Sequence, residues 1–282
     1  MQTSAYRIRR AIARAFIALG VVLAVVFAGF PLYWMFVTST RTSAERFTSD
    51  PVFLPDLGNL GNYFALFTET SMVDWLSNSL FIAFGVTVLS LAMAILAGYA
   101  LSRFRFRGKG IAAFALFVTQ MLPEALLIVP LYALFLGAGL MNSLIAVVLI
   151  QTAFVMPVST WIIKGAMDSV PYEIEESATM DGVPRLGILW TIVLPLVAPS
   201  VAAASVIAFF DGWNEFLVSR TFLSSPSLWP ASVGLSSFIG EYRTPLDLVM
   251  SAAVVYALPA IIFFWLVQRW IVTGLTAGAV KG

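Results

Sequence analysis

Ser77-Asn-Ser-Leu-Phe-Ile-Ala-Phe-Gly-Val-Thr-Val-Leu-Ser-Leu-Ala-Met-Ala-Ile-Leu-Ala-Gly-Tyr-Ala-Leu-Ser102 carries no charge, and Arg103-Phe-Arg-Phe-Arg-Gly-Lys109 follows it at once. A helix that crosses the hydrocarbon core of a bilayer needs about 20 apolar residues. This stretch is long enough, and the basic cluster behind it is the kind of signal that fixes orientation. Five more stretches qualify: residues 15–37, 111–135, 143–163, 188–210 and 248–267, of which 111–135 contains one charge, Glu124. The reading is an all-α polytopic membrane protein with six transmembrane helices. Composition agrees, with 60% hydrophobic and 11% charged residues and a mean hydropathy of +0.92. Soluble domains usually hold about 25% charged residues.

Lys and Arg set the predicted orientation. With the N-terminus inside, the inner side carries Arg7, Arg9, Arg10, Arg14, Arg103, Arg105, Arg107, Lys109, Lys164, Arg185, Arg269 and Lys281. The outer side keeps Arg41, Arg46, Arg220 and Arg243, so the division of the 16 is 12 to 4. Both termini are therefore expected in the cytoplasm. Residues 1–14 form a basic N-terminal segment, 15–268 the membrane domain and 269–282 a C-terminal tail. The first apolar run exceeds the roughly 7–15 residues of a signal-peptide core, so it reads as an uncleaved span. The outer segment 38–74 is expected to hold a short helix near residues 62–67.

The net charge is +1, which offers nothing to nucleic acid. Cysteine and histidine are both absent, which removes thiolate and imidazole metal ligation and the nucleophiles and bases built on them. We assign no metal site and no catalytic residue. No phosphate-binding loop of the G-x-x-x-x-G-K-[ST] type occurs, so any ATP must be bound by another chain.

The long inner segment 164–187 holds Ser169-Val-Pro-Tyr-Glu-Ile-Glu-Glu-Ser-Ala-Thr-Met-Asp-Gly182. Ser169 can cap a helix there, Pro171 suits its first turn, acidic residues favour its positive end and Gly182 can end it. Residues 169–182 are thus expected as a short surface helix, with Pro184 opening a second one. Ile174, Ala178 and Asp181 share a face, and the small Ser177 and Ala178 allow close approach. On the residues alone, a solvated charged loop is the alternative.

Glu176-Ser-Ala178, three residues, Gly182, nine residues, then Ile192-Val-Leu-Pro195 resembles the motif of binding-protein-dependent ABC importer permeases. That motif has the form E-A-A, three residues, G, nine residues, I-x-L-P. Only Ser177 departs from it. The resemblance implies the type I permease fold, a coupling helix at residues 169–182, and docking to an ATPase through Glu175, Glu176, Ser177, Ala178, Asp181 and Gly182. Features along the rest of the chain resemble the carbohydrate branch, in particular the maltose-type second permease subunit. They include Asn62-Tyr63, Asn78-Ser79, Tyr99-Ala-Leu-Ser-Arg-Phe-Arg-Phe-Arg-Gly108, Pro130-Leu-Tyr132, Trp213-Asn-Glu-Phe216 and Gly274-Leu-Thr-Ala-Gly-Ala-Val-Lys-Gly282.

The resemblance implies several partners. These are a second homologous permease subunit, two copies of an ABC ATPase that bind ATP and Mg, and an extracytoplasmic substrate-binding protein. Lipid of the bacterial cytoplasmic (inner) membrane surrounds the spans, and this chain itself carries no cofactor. Thr276, Gly278 and Lys281 would reach the ATPases. The outer loop with Trp229, Val233 and Gly234 would meet the binding protein. Glu124 within the third span, and Asn214 and Glu215 after the fifth, are the candidate substrate-pathway residues. A mid-membrane ionisable group costs about 2.5–3.5 kcal/mol on insertion scales, so it must face a cavity or a partner. A structural partner inside the bundle is the alternative for Glu124, and interfacial solvation for Asn214 and Glu215 and for Asp211, which sits with them at the outer end of the fifth span.

The function expected is sugar import by alternating access. Alternatives are an ABC permease for a non-sugar solute, an ion-coupled secondary transporter and a membrane-embedded enzyme. A secondary transporter should carry more intramembrane charges and inverted repeats, and an enzyme should show paired acid–base groups in its spans. Reporter fusions after Lys109 and Gly182 should give cytoplasmic signals, and one near Asp56 an external signal. An external signal at Gly182 would remove the docking assignment.

Overall fold

A computed structural model describes residues 2–41, 53–240 and 244–279, with side chains omitted at 2–8, 11 and 272–279. The described residues are helical and contain no strand. The elements are α1 Gln2–Ser39, α2 Gly61–Glu69, α3 Met72–Arg103, α4 Lys109–Thr119, α5 Glu124–Gly137, α6 Leu144–Asp168, α7 Tyr172–Met180, α8 Arg185–Ile188, α9 Ala198–Trp213, α10 Leu217–Phe222, α11 Ala231–Ser236 and α12 Leu246–Ala279. Five helical segments among these residues are long and apolar enough to span a membrane, and the number is six if the bent α4/α5 pair is counted as one span.

The chain divides into two compact units, residues 1–70 with 238–255, and 71–237 with 256–282. In the first, Asn62 Nδ2 donates to the Ser39 carbonyl at 2.8 Å, and the Ser39 and Tyr63 hydroxyls lie 2.6 Å apart. These bonds tie α2 to the end of α1. The short helix expected near residues 62–67 is thus present as α2. The apolar part of α1 lies exposed from Phe16 to Phe30, as a lipid-facing helix requires.

The second unit is built on α3 and α6, which run in the same direction. Gly85 lies against Val148, Gly98 against Ile163, and Ser102 bonds to Asp168. Between helices in lipid there is little hydrophobic drive, so close packing of small residues holds them. Ser79, Ala83, Ser90 and Ala94 on α3, Ala146 and Ser159 on α6, and Ala204 and Ala208 on α9 are all fully buried. An aromatic stack closes the other side of α9. Phe209 lies on Phe263 at 3.8 Å and Trp213 on Tyr256 at 5.0 Å.

The structure corrects the expected elements in four places. The third span, expected as one run over 111–135, is two helices bent by 104° between Thr119 and Glu124. Pro123 offers no N–H and pushes Leu122 away from helical geometry. Gln120 fills the gap by donating from its side chain to the Phe154 carbonyl at 3.0 Å. The fifth span, expected over 188–210, is interrupted by a π-helical turn at Leu189–Val193 and a break at Val197. Pro195 and Pro199 remove donors on either side of that break.

Ser169 does not cap the surface helix. It closes α6 instead, donating to the Ala166 carbonyl at 2.7 Å, and Pro171 takes the cap position of α7. The expected helix over 169–182 is therefore shorter, Tyr172–Met180.

In the outer loop expected to meet a binding protein, Val233 and Gly234 lie in the packed helix α11, and Trp229 precedes it. Val233 is fully buried, and Asn78 Nδ2 donates to the Ser227 and Trp229 carbonyls at 2.9 and 3.0 Å. Gly234 lies directly on the Trp75 ring, so an added Cβ would overlap it. Trp75 cannot swing aside freely, because its Nε1 donates to the Pro226 carbonyl at 3.0 Å.

Gly234→Val is therefore expected to destabilise this unit by about 1–3 kcal/mol or more. Denaturant unfolding of the purified protein in detergent reads this directly. An unchanged midpoint would show that Trp75 has room to move.

Candidate functional site

Two places in the second unit gather candidate functional side chains. The first is at the break between α4 and α5. Breaking the span puts Glu124 at the first position of α5, where a carboxylate meets the positive end of the helix dipole. Glu124, Asp211, Asn214 and Glu215 all line one pocket of about 350 Å³, with Gln151, Phe210, Phe216 and Leu217. The structure thus brings together the three residues singled out in the sequence. Asp211, noted in the sequence beside Asn214 and Glu215, joins them, and Gln151 completes the group.

These polar groups are not equivalent. Glu215 is 6% exposed, and its carboxylate accepts from the Val218 and Ser219 amides at 2.6 and 2.9 Å, and from the Ser219 hydroxyl. It satisfies the free N–H groups that open α10. This carboxylate is largely committed to holding the pocket wall. Tyr256 donates to the Trp213 carbonyl at 2.8 Å and approaches Asn214 Oδ1 at 3.4 Å. Glu124 and Asp211 are exposed residues of this lining. Gln151 was not picked out from sequence, although a lone amide in the apolar run 143–163 is the kind of signal that marks a cavity.

The second place is the end of α3 and α6 where Arg103 and Asp168 lie. Arg103 Nε donates to Glu175 Oε1 at 2.5 Å, with side chains 5% and 11% exposed. Its other nitrogens donate to the Val170 carbonyl at 2.9 Å and the Ser102 hydroxyl at 3.0 Å. The guanidinium also covers the Tyr172 ring at 4.4 Å. Tyr99 donates to Glu175 Oε2 at 3.1 Å. Ser102 donates to Asp168 at 2.6 Å, and Lys164 to the same carboxylate at 2.5 Å. One network thus joins α3, α6 and α7.

Glu175 and Ala178 therefore face inward, which corrects the expectation that they present themselves to a partner. Ala178 packs in a core with Ile163, Met167, Val170 and Ile188. The outward face consists of Glu173, Ile174, Glu176, Ser177, Met180 and Asp181. Gly182 ends the helix at φ +80°, a conformation glycine adopts without steric cost. Thr276 and Gly278 lie in the last turns of α12, with their side chains outside the described residues, and Lys281 lies outside them altogether.

Residues 90–276 match the family described as binding-protein-dependent transport system inner membrane component. The chain belongs to that family. It is 33% identical to the sulfoquinovosyl glycerol transport system permease protein of Agrobacterium fabrum over 253 residues, 90% of this chain and 89% of the relative. It is 35% identical to the maltodextrin transport system permease protein of Bacillus subtilis, over 86% of this chain and 89% of that one. A bacterial ABC transporter that imports the acidic polysaccharide alginate contains a chain with the same fold. The TM-score is 0.78 at 21% identity, covering 92% of this permease and 96% of that chain.

Removing one member of a buried ion pair leaves the other charged and alone, at a cost of about 3–5 kcal/mol. Arg103→Met should lose that much stability, and adding Glu175→Met should recover most of it. Denaturant unfolding of both variants tests this. A loss below about 1 kcal/mol in the single variant would mark the pair as a solvent-screened contact.

Proposed function

We propose that this chain is the permease subunit of an ATP-driven sugar importer of the inner membrane, with α7 as the element that receives motion from an ATPase. The observation that carries this reading is the clamping of α7 to α3 and α6, with its other face left clear. A helix held by the Arg103/Glu175 pair, Tyr99 and Ala178 transmits force to two spans at once. Its exposed face offers an apolar pair, Ile174 and Met180, among Glu173, Glu176 and Asp181. Exposed apolar residues with a polar rim are what a docking surface needs. Relatives that transport maltodextrin and sulfoquinovosyl glycerol support the sugar assignment.

In this reading both termini and α7 are cytoplasmic, as the distribution of Lys and Arg predicts. A second permease subunit encloses the pathway with this one. Two ATPase subunits bind ATP and Mg and close on them. Closure draws the two docking helices together and opens the pathway outward to a loaded binding protein. Hydrolysis returns it. This chain performs no bond chemistry; its work is to hold two arrangements whose balance the ATPases shift. The pocket at Glu124 lies on the sugar pathway, and the tail with Thr276, Gly278 and Lys281 reaches the ATPases.

Met180 is 87% exposed, and Ser177 lies on the same outward face. Met180→Arg and Ser177→Trp should leave folding intact and lower binding-protein-stimulated ATP hydrolysis about tenfold or more, as loss of a docking hot spot does. The measurement is stimulated hydrolysis by the complete transporter in proteoliposomes. Full stimulation in both variants would show that α7 does not make the contact.

A further inference from the structure

The turn Arg103-Phe-Arg-Phe-Arg-Gly-Lys-Gly110 between α3 and α4 holds four cations and no acidic residue. Two of the cations are engaged, Arg103 by Glu175 and Lys109 by the Phe104 carbonyl at 3.1 Å. Arg105 and Arg107 are exposed, and neither makes a hydrogen bond or ion pair among the described residues. Arg185 of α8, also exposed, lies over the Phe104 ring at 5.0 Å and adds a further cation beside the turn. A separate feature begins at the same turn. A groove of about 400 Å³ lies between α3 and α4, lined by Ala97 and Ala100 on one helix, Ala112 and Ala115 on the other, and Phe106 at the turn. The one hydroxyl in its lining, that of Thr119, is bonded to the Leu116 carbonyl at 2.8 Å, so no side-chain group is left there for water. No residue of α4 is buried. From Ala112 to Thr119 the groove follows the span for about 10 Å, at 1.5 Å per residue.

We propose that the groove and the turn together hold one net-anionic phospholipid, with an acyl chain between α3 and α4 and the phosphate headgroup on Arg105 and Arg107. Continuity ties the two parts of the site together: Phe106 lines the groove, and its neighbours in the chain are the two unpaired arginines. Charge selects the head. A guanidinium offers phosphate a planar fork of donors, and a turn with no carboxylate has nothing to meet the ammonium of a zwitterionic lipid. Depth and width select the tail. An apolar groove that opens where a span ends meets acyl chains, not water. Over 10 Å of length, 400 Å³ gives a cross-section of about 40 Å², about half that of a helix 10 Å across. The proposal goes beyond the importer reading and needs only that this turn lie at a membrane surface.

The test places the complete transporter in phosphatidylcholine vesicles with a trace of phosphatidylglycerol that carries a diazirine in its acyl chain. After irradiation, labelled peptides are counted by mass spectrometry, with the exposed face of α1 from Phe16 to Phe30 as the reference for unselected lipid. Labelling of residues 97–119 relative to that reference should be about 25-fold higher than with a phosphatidylcholine that carries the same diazirine, roughly fivefold for each arginine. Arg105→Gln with Arg107→Gln should remove this preference, and Arg105→Lys with Arg107→Lys should keep most of it. Ala112→Phe with Ala115→Phe fills the groove at two exposed positions. Labelling of 97–119 should then fall to the level of α1, with labelling of α1 unchanged. Equal labelling of 97–119 by the two photolipids would overturn the proposal, as would an undiminished preference in the glutamine variant. So would labelling no greater than on α1 in the unaltered transporter, which would leave the groove to a helix of another subunit. The measurement uses neither sugar nor nucleotide, so its failure is separable from failure of the importer reading.

Discussion

The contact on which the rest of the structure depends is the meeting of Arg103 with Glu175. It joins the end of the second span to a nine-residue helix that is far too short to be stable alone in water. A buried ion pair is a weak source of net stability, because desolvation of both charges offsets their attraction. Here the geometry returns much of that cost. The guanidinium donates to Glu175, Val170 and Ser102 and stacks on Tyr172, and the carboxylate also accepts from Tyr99. What the pair supplies is position. It sets which face of α7 turns inward, and so which face is free for a partner.

That fixed position matters because of what lies on either side of it. Behind the clamp, α3 and α6 approach closely along small buried residues, a contact with few soft side chains to absorb displacement. Ahead of it, the chain turns at Gly182 and enters α8, the π-helical turn and the break at Val197. One side of α7 is stiff and the other carries the irregular backbone. The irregular segment includes Ile192 and Pro195, so the two halves of the family motif fall on the rigid and the bent part of one connection.

The helical class, the number of apolar spans and the motif were legible in the sequence, because a bilayer imposes a length and a polarity that few other constraints blur. Gly182 was legible for a similar reason, since left-handed backbone favours glycine. Orientation of the surface helix was not. Ile174, Ala178 and Asp181 share a helical face by spacing, yet Ala178 turns inward because Glu175 must reach Arg103. That is a long-range pairing that no local pattern records. Val233 and Gly234 read as an outer loop because Ser, Gly and Pro flank them; burial against Trp75 depends on Asn78 and Ser79, over 150 residues away. The candidate pathway residues Glu124, Asn214 and Glu215 were found separately, as polar groups in or beside apolar runs. Their convergence needed the break at Pro123, which lets α5 start inside the span.

The central claim is that α7 moves with α3 and α6 as one body. With no native cysteine, spin labels can be placed at Leu96→Cys on the exposed face of α3 and at Thr179→Cys, an exposed position of α7 outside its docking face. The distance between them, measured by pulsed electron resonance in the complete transporter, should give one narrow distribution that is the same without nucleotide and with ATP trapped. A shift of several ångströms between the two states would contradict the account, because it would mean that α7 moves independently of the spans it is clamped to.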